Sequence, residues 1–317
     1  MSAEKQSGCD LAIEAHEMLA ADSEENFKSN GITVEKAEDN GYIKITRVNV
    51  ENNDGEKQLG KPKGKYVTIE MPARFYGQQE IYEKMCIACS KELKKFTDEV
   101  LKSKDELVLV IGLGNRRITA DSLGPKAISS LMVTRHLKNL IPHEIDEGIR
   151  PVCAISPGVL GTTGIETEEI IHSLVAQLKP KLVILIDALC SGHIERINTT
   201  IQITDTGITP GGGVGNKRKT INREVLGIPV VAVGVPTVVD AAAIANEGIK
   251  IATDCNDENF DNKRDEITSA VYEKFGNLIV APKDVDSITD DISSVIANGI
   301  NIALHEGITF SDIDRYV

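Results

Sequence analysis

The sequence predicts an α/β protein: a three-layer sandwich with a central, mostly parallel sheet, helices on both faces and a small antiparallel β annex. Three observations predict it. Leu107-Val108-Leu109-Val110-Ile111 and Leu182-Val183-Ile184-Leu185-Ile186 are unbroken, β-branched apolar runs, as expected of parallel strands covered on both faces. Segments of helical periodicity stand between runs of this kind, the β-α-β alternation of a parallel sheet. Residues 31–72 instead alternate apolar and polar side chains with a period of two.

Taken in order, residues 1–9 are small and polar without periodicity and read as a loose leader; residues 10–317 read as one domain. Asp10 opens DLAIEAHEMLAA as the N-cap of a helix carrying Leu11, Ala15, Met18 and Leu19 on one side. The annex follows, with Ile32-Val34, Ile43-Ile45-Val48-Val50 and Tyr66-Val67-Ile69-Met71 as strands and Glu51–Gly64 as a turn-rich connection. Residues 79–97 return to helix, where the spacing of Cys86 and Cys89 fits packing on one helix face better than a metal or redox motif.

The central unit has strands at 107–112, 151–156, 182–187 and 229–235, with helices at 123–138 and 167–178. Thr199–Thr204 is a more polar alternating run and reads as an edge hairpin strand. Helix is expected over 240–254, with Asp240 as its N-cap, and over 284–304, with Ile288, Ile292, Val295, Ile296 and Ile300 on one face. Residues 256–266 (NDENFDNKRDE) read as a solvated charged loop.

A chain of 317 residues can bury a substantial core. Its net charge of -13 argues against a general nucleic-acid binder, because phosphate contacts need a basic surface. No apolar run approaches the length needed to span a bilayer, so the protein is expected to stay in the compartment where it is made. Six cysteines in a chain this long do not make a disulfide framework, and reduced thiols are expected.

The chemistry concentrates at strand ends, where open α/β sheets bind ligands. The run 107–111 breaks at Gly112-Leu113-Gly114 into a polar loop that contains Asp121. Asp187 stands at the end of the run 182–186, 66 positions later. If the two strands are neighbours, the carboxyls can approach and share a proton. One can then take a proton from water while the other donates to a leaving amine. Plain structural roles compete with this reading. Asp121 could be a helix N-cap, although Pro125 favours a helix that starts at Pro125 with Gly124 before it. Asp187 could hold a neighbouring loop by hydrogen bonds.

Gly114 and Asn115 are candidates for stabilising a developing oxyanion. The loop Pro210–Arg218, with Gly213 and Gly215, reads either as a substrate-facing glycine loop or as a flexible surface loop; it lacks the Gly-Lys-Ser/Thr ending of a P-loop. Arg117 stands where a dinucleotide fingerprint has its third glycine. There is no Gly-x-Ser-x-Gly elbow and no His-Glu-x-x-His. Among the histidines, His193 alone lies near a candidate catalytic residue in the chain. Two rival readings stay open: a metal-dependent maturation-type protease using Asp121, Asp187 and His193, and a nucleotide-binding module built on the two glycine loops.

GLGNRRITADSLGP (112–125), SPGVLGTTGIET (156–167), IDAL (186–189), ERINTTIQITDTGITPGGGVGNKR (195–218) and VGVPTVVDA (233–241) resemble the germination protease (spore protease) family of spore-forming bacteria. The likeness runs from Asp10 nearly to the end. It implies an endopeptidase of small acid-soluble, DNA-protecting spore proteins, acting in the forespore and spore-core cytoplasm without a cofactor or metal. It further implies a homotetramer and a zymogen whose leader is removed by self-cleavage between Cys9 and Asp10. The family's core is similar to that of hydrogenase-maturation proteases, and its catalytic aspartates match Asp121 and Asp187. The chain departs from the family pattern at Ala120, where Pro is usual, at Cys9, where Thr is usual, and at Cys190–Ile194.

Overall fold

A computed structural model describes residues 10–21, 31–39, 42–71, 78–141, 143, 145–212, 218–252 and 260–315. The expectations for the leader, Cys9, Gly213, Gly215 and residues 256–259 fall outside these residues.

The chain opens with α1 (Ala12–Ala21), then β1 (Ile32–Asp39), β2 (Ile43–Val50), α2 (Asn53–Leu59), β3 (Gly64–Glu70) and the long α3 (Gln79–Val100). The central unit holds β4 (Val108–Gly112), α4 (Leu123–Ser129), α5 (Arg135–Leu140), β5 (Val152–Ile155), α6 (Leu160–Thr163), α7 (Thr167–Leu178) and β6 (Leu182–Ser191). It continues through β7 (Thr200–Thr204), α8 (Arg223–Leu226), β8 (Val230–Asp240), α9 (Ala241–Ala252), α10 (Phe260–Phe275), β9 (Ile279–Val280) and α11 (Val285–Leu304).

Among the described residues the strands form one mixed sheet in the order β1-β2-β3-β7-β8-β6-β4-β5, with β9 on the end of β8. The four strands β5, β4, β6 and β8 are parallel, and the wing β1-β2-β3-β7 is antiparallel. The α/β expectation therefore holds. The annex is joined to the parallel core through β7, which pairs with β3 on one side and β8 on the other.

Side chains alternate between the faces as the pleat requires. Val108 and Val110 of β4, Ile184 and Ile186 of β6, and Val231 and Val233 of β8 pack with α3, α4 and α11. Leu109, Ile111, Val183 and Leu185 pack on the other face with Ile171 and Val175 of α7 and Leu226 of α8. The wing has its own cluster against α1 and α2, from Ala12, Ala15, Val48, Leu59 and Tyr66. Cys86 and Cys89 are buried thiols in the face of α3 that meets α11, close enough that a Cβ on Gly299 would lie 2.8 Å from the Cys89 Sγ.

Several local expectations are corrected. Thr199–Thr204 is an interior strand, not an edge: the polar residues that suggested a wet face are buried. Gln202 among them accepts a hydrogen bond from the Ala12 amide at 2.7 Å and so starts α1, a task expected of Asp10. The helix expected over 123–138 breaks in two because Asn301 of α11 takes the Met132 amide at 2.9 Å and gives to the Ser130 carbonyl at 3.2 Å. Its first half starts at Leu123, with Lys126 bonding back to Ser122, so Pro125 lies in the first turn but not at its head. The Glu51–Gly64 connection contains α2, capped by the Asn52 side chain on the Asp54 and Gly55 amides. Helix α10 begins inside the stretch read as a charged loop. Asp240 does cap α9, accepting from the Ala242 amide at 2.7 Å.

Candidate active site

Strand β4 stops at Gly112, opposite Ile186, while β6 runs on to Ser191. Asp187 is thus the sixth residue of a ten-residue strand, not its end; its distinction is to be the first residue of β6 beyond the edge of β4. The Leu113 amide makes one last bond to the Ile186 carbonyl at 2.8 Å before the chain leaves the sheet. The alternation that puts Val183 and Leu185 on the α7 face carries Asp187 to that side, where it is 5% exposed and accepts from the Ala188 amide at 3.0 Å.

Asp121 reaches the same cleft from the loop after β4. The Asn115 amide donates to both the carbonyl and the Oδ2 of Asp121, each at 2.9 Å, closing the loop around this residue. The turn Thr119–Asp121 supports it from below, and the buried Thr237 of β8 donates to the Ala120 carbonyl at 2.6 Å. Both aspartates line one cleft of about 1060 Å³, with Asp10, Lys61, Arg218 and the glycines Gly114, Gly211 and Gly212 also at its wall.

The electrostatics follow from burial. Desolvation pushes the Asp121 carboxyl up to about 6, against the opposing effects of the Asn115 amide and the Arg218 charge. Asp187 is raised well above the usual carboxylate range, first by burial, then by the charge of Asp121, then by that of Asp10. A buried carboxyl beside a second negative charge keeps its proton to higher pH than a solvated one.

The sequence matches the family model described as "Germination protease" over residues 12–255 and 255–317. The chain belongs to the germination protease family. It is 48% identical to the germination protease of Clostridium tetani and 45% to that of Clostridium acetobutylicum, each over 97% of this chain and 98% of the relative. Identity to the Bacillus subtilis germination protease is 40%, over 97% of this chain and 95% of the relative. A solved NiFe hydrogenase maturation protease from Thermococcus kodakarensis superposes with a TM-score of 0.28 at 20% identity, covering 46% of this chain and 80% of that one. Family membership makes the chain a peptidase.

Not every candidate residue lies at this cleft. The Asn115 amide is given to Asp121, and the Asn115 Oδ1 accepts from the Arg117 amide at 3.0 Å. Gly114 does line the cleft. His193 is absent from the cleft wall; its amide and carbonyl are both bonded to the Ser191 hydroxyl. Among the described residues no three His, Cys, Asp or Glu side chains are grouped to hold a metal ion. No helix among them is long and apolar enough to cross a membrane.

Two contributors escaped the sequence reading. Thr237 steadies the Asp121 loop, and a lone Thr in Val235-Pro236-Thr237-Val238-Val239 is a polar side chain in an otherwise apolar strand, a signal that could have been used. Arg218 also faces Asp121, and its Nη1 is buried without a hydrogen-bond partner among the described residues. The sequence placed it at the end of a candidate substrate-facing loop without giving it a role of its own.

Proposed function

We propose that the chain is an endopeptidase that hydrolyses small acid-soluble spore proteins, using a water molecule held between Asp121 and Asp187. The single observation that carries this reading is the convergence of the two carboxyls in one cleft, with burial raising both and the charge of Asp121 raising Asp187 further. Asp121 is the more exposed, and its pKa of about 6 leaves it ionised at neutral pH, where it serves as the base. Asp187 is the buried partner that keeps the proton. Water adds through oxygen to the scissile carbonyl carbon while its proton passes to Asp121. The carbon–nitrogen bond then breaks as Asp187 gives its proton to the leaving amine, and a proton shift between the carboxyls restores the pair.

A cleft of about 1060 Å³ lies at the upper end of the range for small-molecule sites and has room for a stretch of polypeptide. Asp10 lies at the wall of that cleft, which supports self-cleavage between Cys9 and Asp10 as the step that converts a zymogen to the active form. The assembly is a homotetramer, working in the spore cytoplasm without metal or cofactor.

The test is to incubate the purified full chain with a small acid-soluble spore protein and map the fragments by mass. Wild type is expected to cut at discrete positions and to lose residues 1–9. Asp121→Asn and Asp187→Asn are each expected to abolish cutting with the far-UV spectrum unchanged. Either variant cutting at the wild-type rate would remove that aspartate from the mechanism. Loss of cutting after exhaustive chelation, restored by metal, would establish the metal-dependent rival instead.

A further inference from the structure

We infer that Asp10 is a positioning residue for the aspartate pair: it fastens the free edge of β6 just beyond Asp187 and places a further negative charge beside it. The inference rests on the hydrolysis proposed above. Beyond Gly112 the edge of β6 has no β4 to pair with, and its backbone groups would be left to solvent or to substrate. Asp10 fills the place of the missing strand at one position. Its amide donates to the Cys190 carbonyl at 3.1 Å, and its Oδ2 accepts from the Cys190 amide at 2.8 Å. Both polar groups of Cys190 are thereby closed off, three residues past Asp187.

The segment is itself firmly held. Leu11 and Ala12 are fully buried, and Glu14 accepts from the Ser191 hydroxyl at 2.5 Å and from the Gly192 amide at 2.9 Å. Arg196 pairs with Glu17 at 2.7 Å, tying the same helix to the chain that leaves β6. Asp10 is therefore part of a rigid clasp over the end of β6.

Charge adds to position. The groups around Asp10 are Lys61, whose Nζ donates to the Asp10 carbonyl at 3.0 Å, Glu14 on the helix that follows it, and Asp187 and Cys190 on β6. Asp121 and Arg218 stand beyond Asp187. Burial raises the Asp10 carboxyl, while the Cys190 amide and Lys61 favour its ionised form. Its charge in turn favours the proton on Asp187.

Asparagine and alanine at this position separate the two contributions. Asp10→Asn keeps an oxygen for the Cys190 amide and removes the charge; Asp10→Ala removes both. In full-length protein, with processing read by intact mass, Asp10→Ala is expected to lower kcat about tenfold or more with KM changed less than about twofold. Asp10→Asn is expected to recover most of kcat, with the high-pH limb of its activity profile moved about one pH unit toward acid. An alanine variant with wild-type kcat, or an asparagine variant whose profile superimposes on wild type, would overturn the inference. Should the alanine variant fail to fold, the asparagine profile decides. Should wild type itself not cut, the proposed hydrolysis fails. The inference is then decided by carbon NMR titration of the Asp187 carboxyl, expected at lower pH in Asp10→Asn and refuted if unmoved.

Discussion

Gly114→Ala is expected to inactivate the enzyme at small cost to the fold, and the structure supplies the magnitudes. Gly114 has φ of +112°, outside the range that L side chains readily adopt. A Cβ placed there would lie 2.1 Å from the Asp121 carbonyl oxygen and 2.9 Å from its Oδ1, whereas real Cβ contacts stay beyond 3.0 Å. The loop must therefore retreat by about 1 Å, and it is Asp121 itself that is pushed. Its two bonds from the Asn115 amide, both 2.9 Å, stretch with it. If Asp121 is the proposed base, a displacement of this size costs about a hundredfold in kcat. The backbone strain costs about 1–3 kcal/mol, or roughly 2–4 °C of melting temperature per kcal/mol in a chain of this class. The assay is kcat on a small acid-soluble spore protein alongside thermal unfolding. Gly161→Ala is the control, since nothing lies within 4 Å of a Cβ there. A Gly114→Ala protein with kcat within twofold or so of wild type would refute the idea that this loop positions the base.

Three further outcomes are expected. Thr237→Val leaves the Ala120 carbonyl without its 2.6 Å donor; kcat should fall about tenfold with a stability loss of about 1 kcal/mol, measured by cleavage rate and urea unfolding. Asp121→Asn should be more stable than wild type above the Asp121 pKa of about 6 and no different well below the ordinary carboxyl value of 3.8. The sign follows because a raised carboxyl pKa means that the fold binds the proton more tightly, so wild type loses stability as pH rises through that value; melting temperatures across pH would show it. His305 is 2% exposed and accepts from the Arg150 amide at 3.1 Å through Nδ1; burial, then the Arg150 charge, lowers its pKa from 6.5 to about 4. Its neutral form is the folded one, so stability should fall by on the order of 3 kcal/mol as pH drops from about 6.5 to about 4. Urea titrations of His305→Gln should lack that component.

The parallel core was legible because residues buried on both faces leave an unmistakable apolar run, as in Val108–Ile111 and Leu182–Ile186. The same rule concealed β7. Thr200, Gln202 and Thr204 alternate as a wet edge would, yet the interior they face is polar, because α1 needs the Gln202 oxygen at its first turn. The break between α4 and α5 was illegible for a related reason: Asn301, more than 160 positions away, supplies the bonds that end the first helix. Asp121 and Asp187 could be proposed as partners from the strand ends, but the extension of β6 past Asp187 could not. Ala188, Leu189 and Cys190 lie beyond the strand expected at 182–187, and it is Asp10 and β8 that hold them in it.

The unequal lengths of neighbouring strands are what make the site. Had β4 continued beside β6, its next residues would occupy the place from which the loop brings Asp121 to the cleft wall. Because β4 ends at Gly112, the chain can fold back over the step and deliver Asp121 from the loop, while Gly112 and Gly124 allow α4 to approach so closely that a Cβ on Gly112 would stand 2.3 Å from the Gly124 carbonyl. The step also strips β6 of a partner, a liability for any buried strand, and the chain answers it with Asp10 at Cys190 and Glu14 at Gly192. Between these fastenings and the Leu113–Ile186 bond, only the stretch around Ala188 is left beside the aspartates. A carboxyl pair raised by burial is costly to the fold at neutral pH, and a sheet secured on both sides of the step can bear that cost where a loop could not.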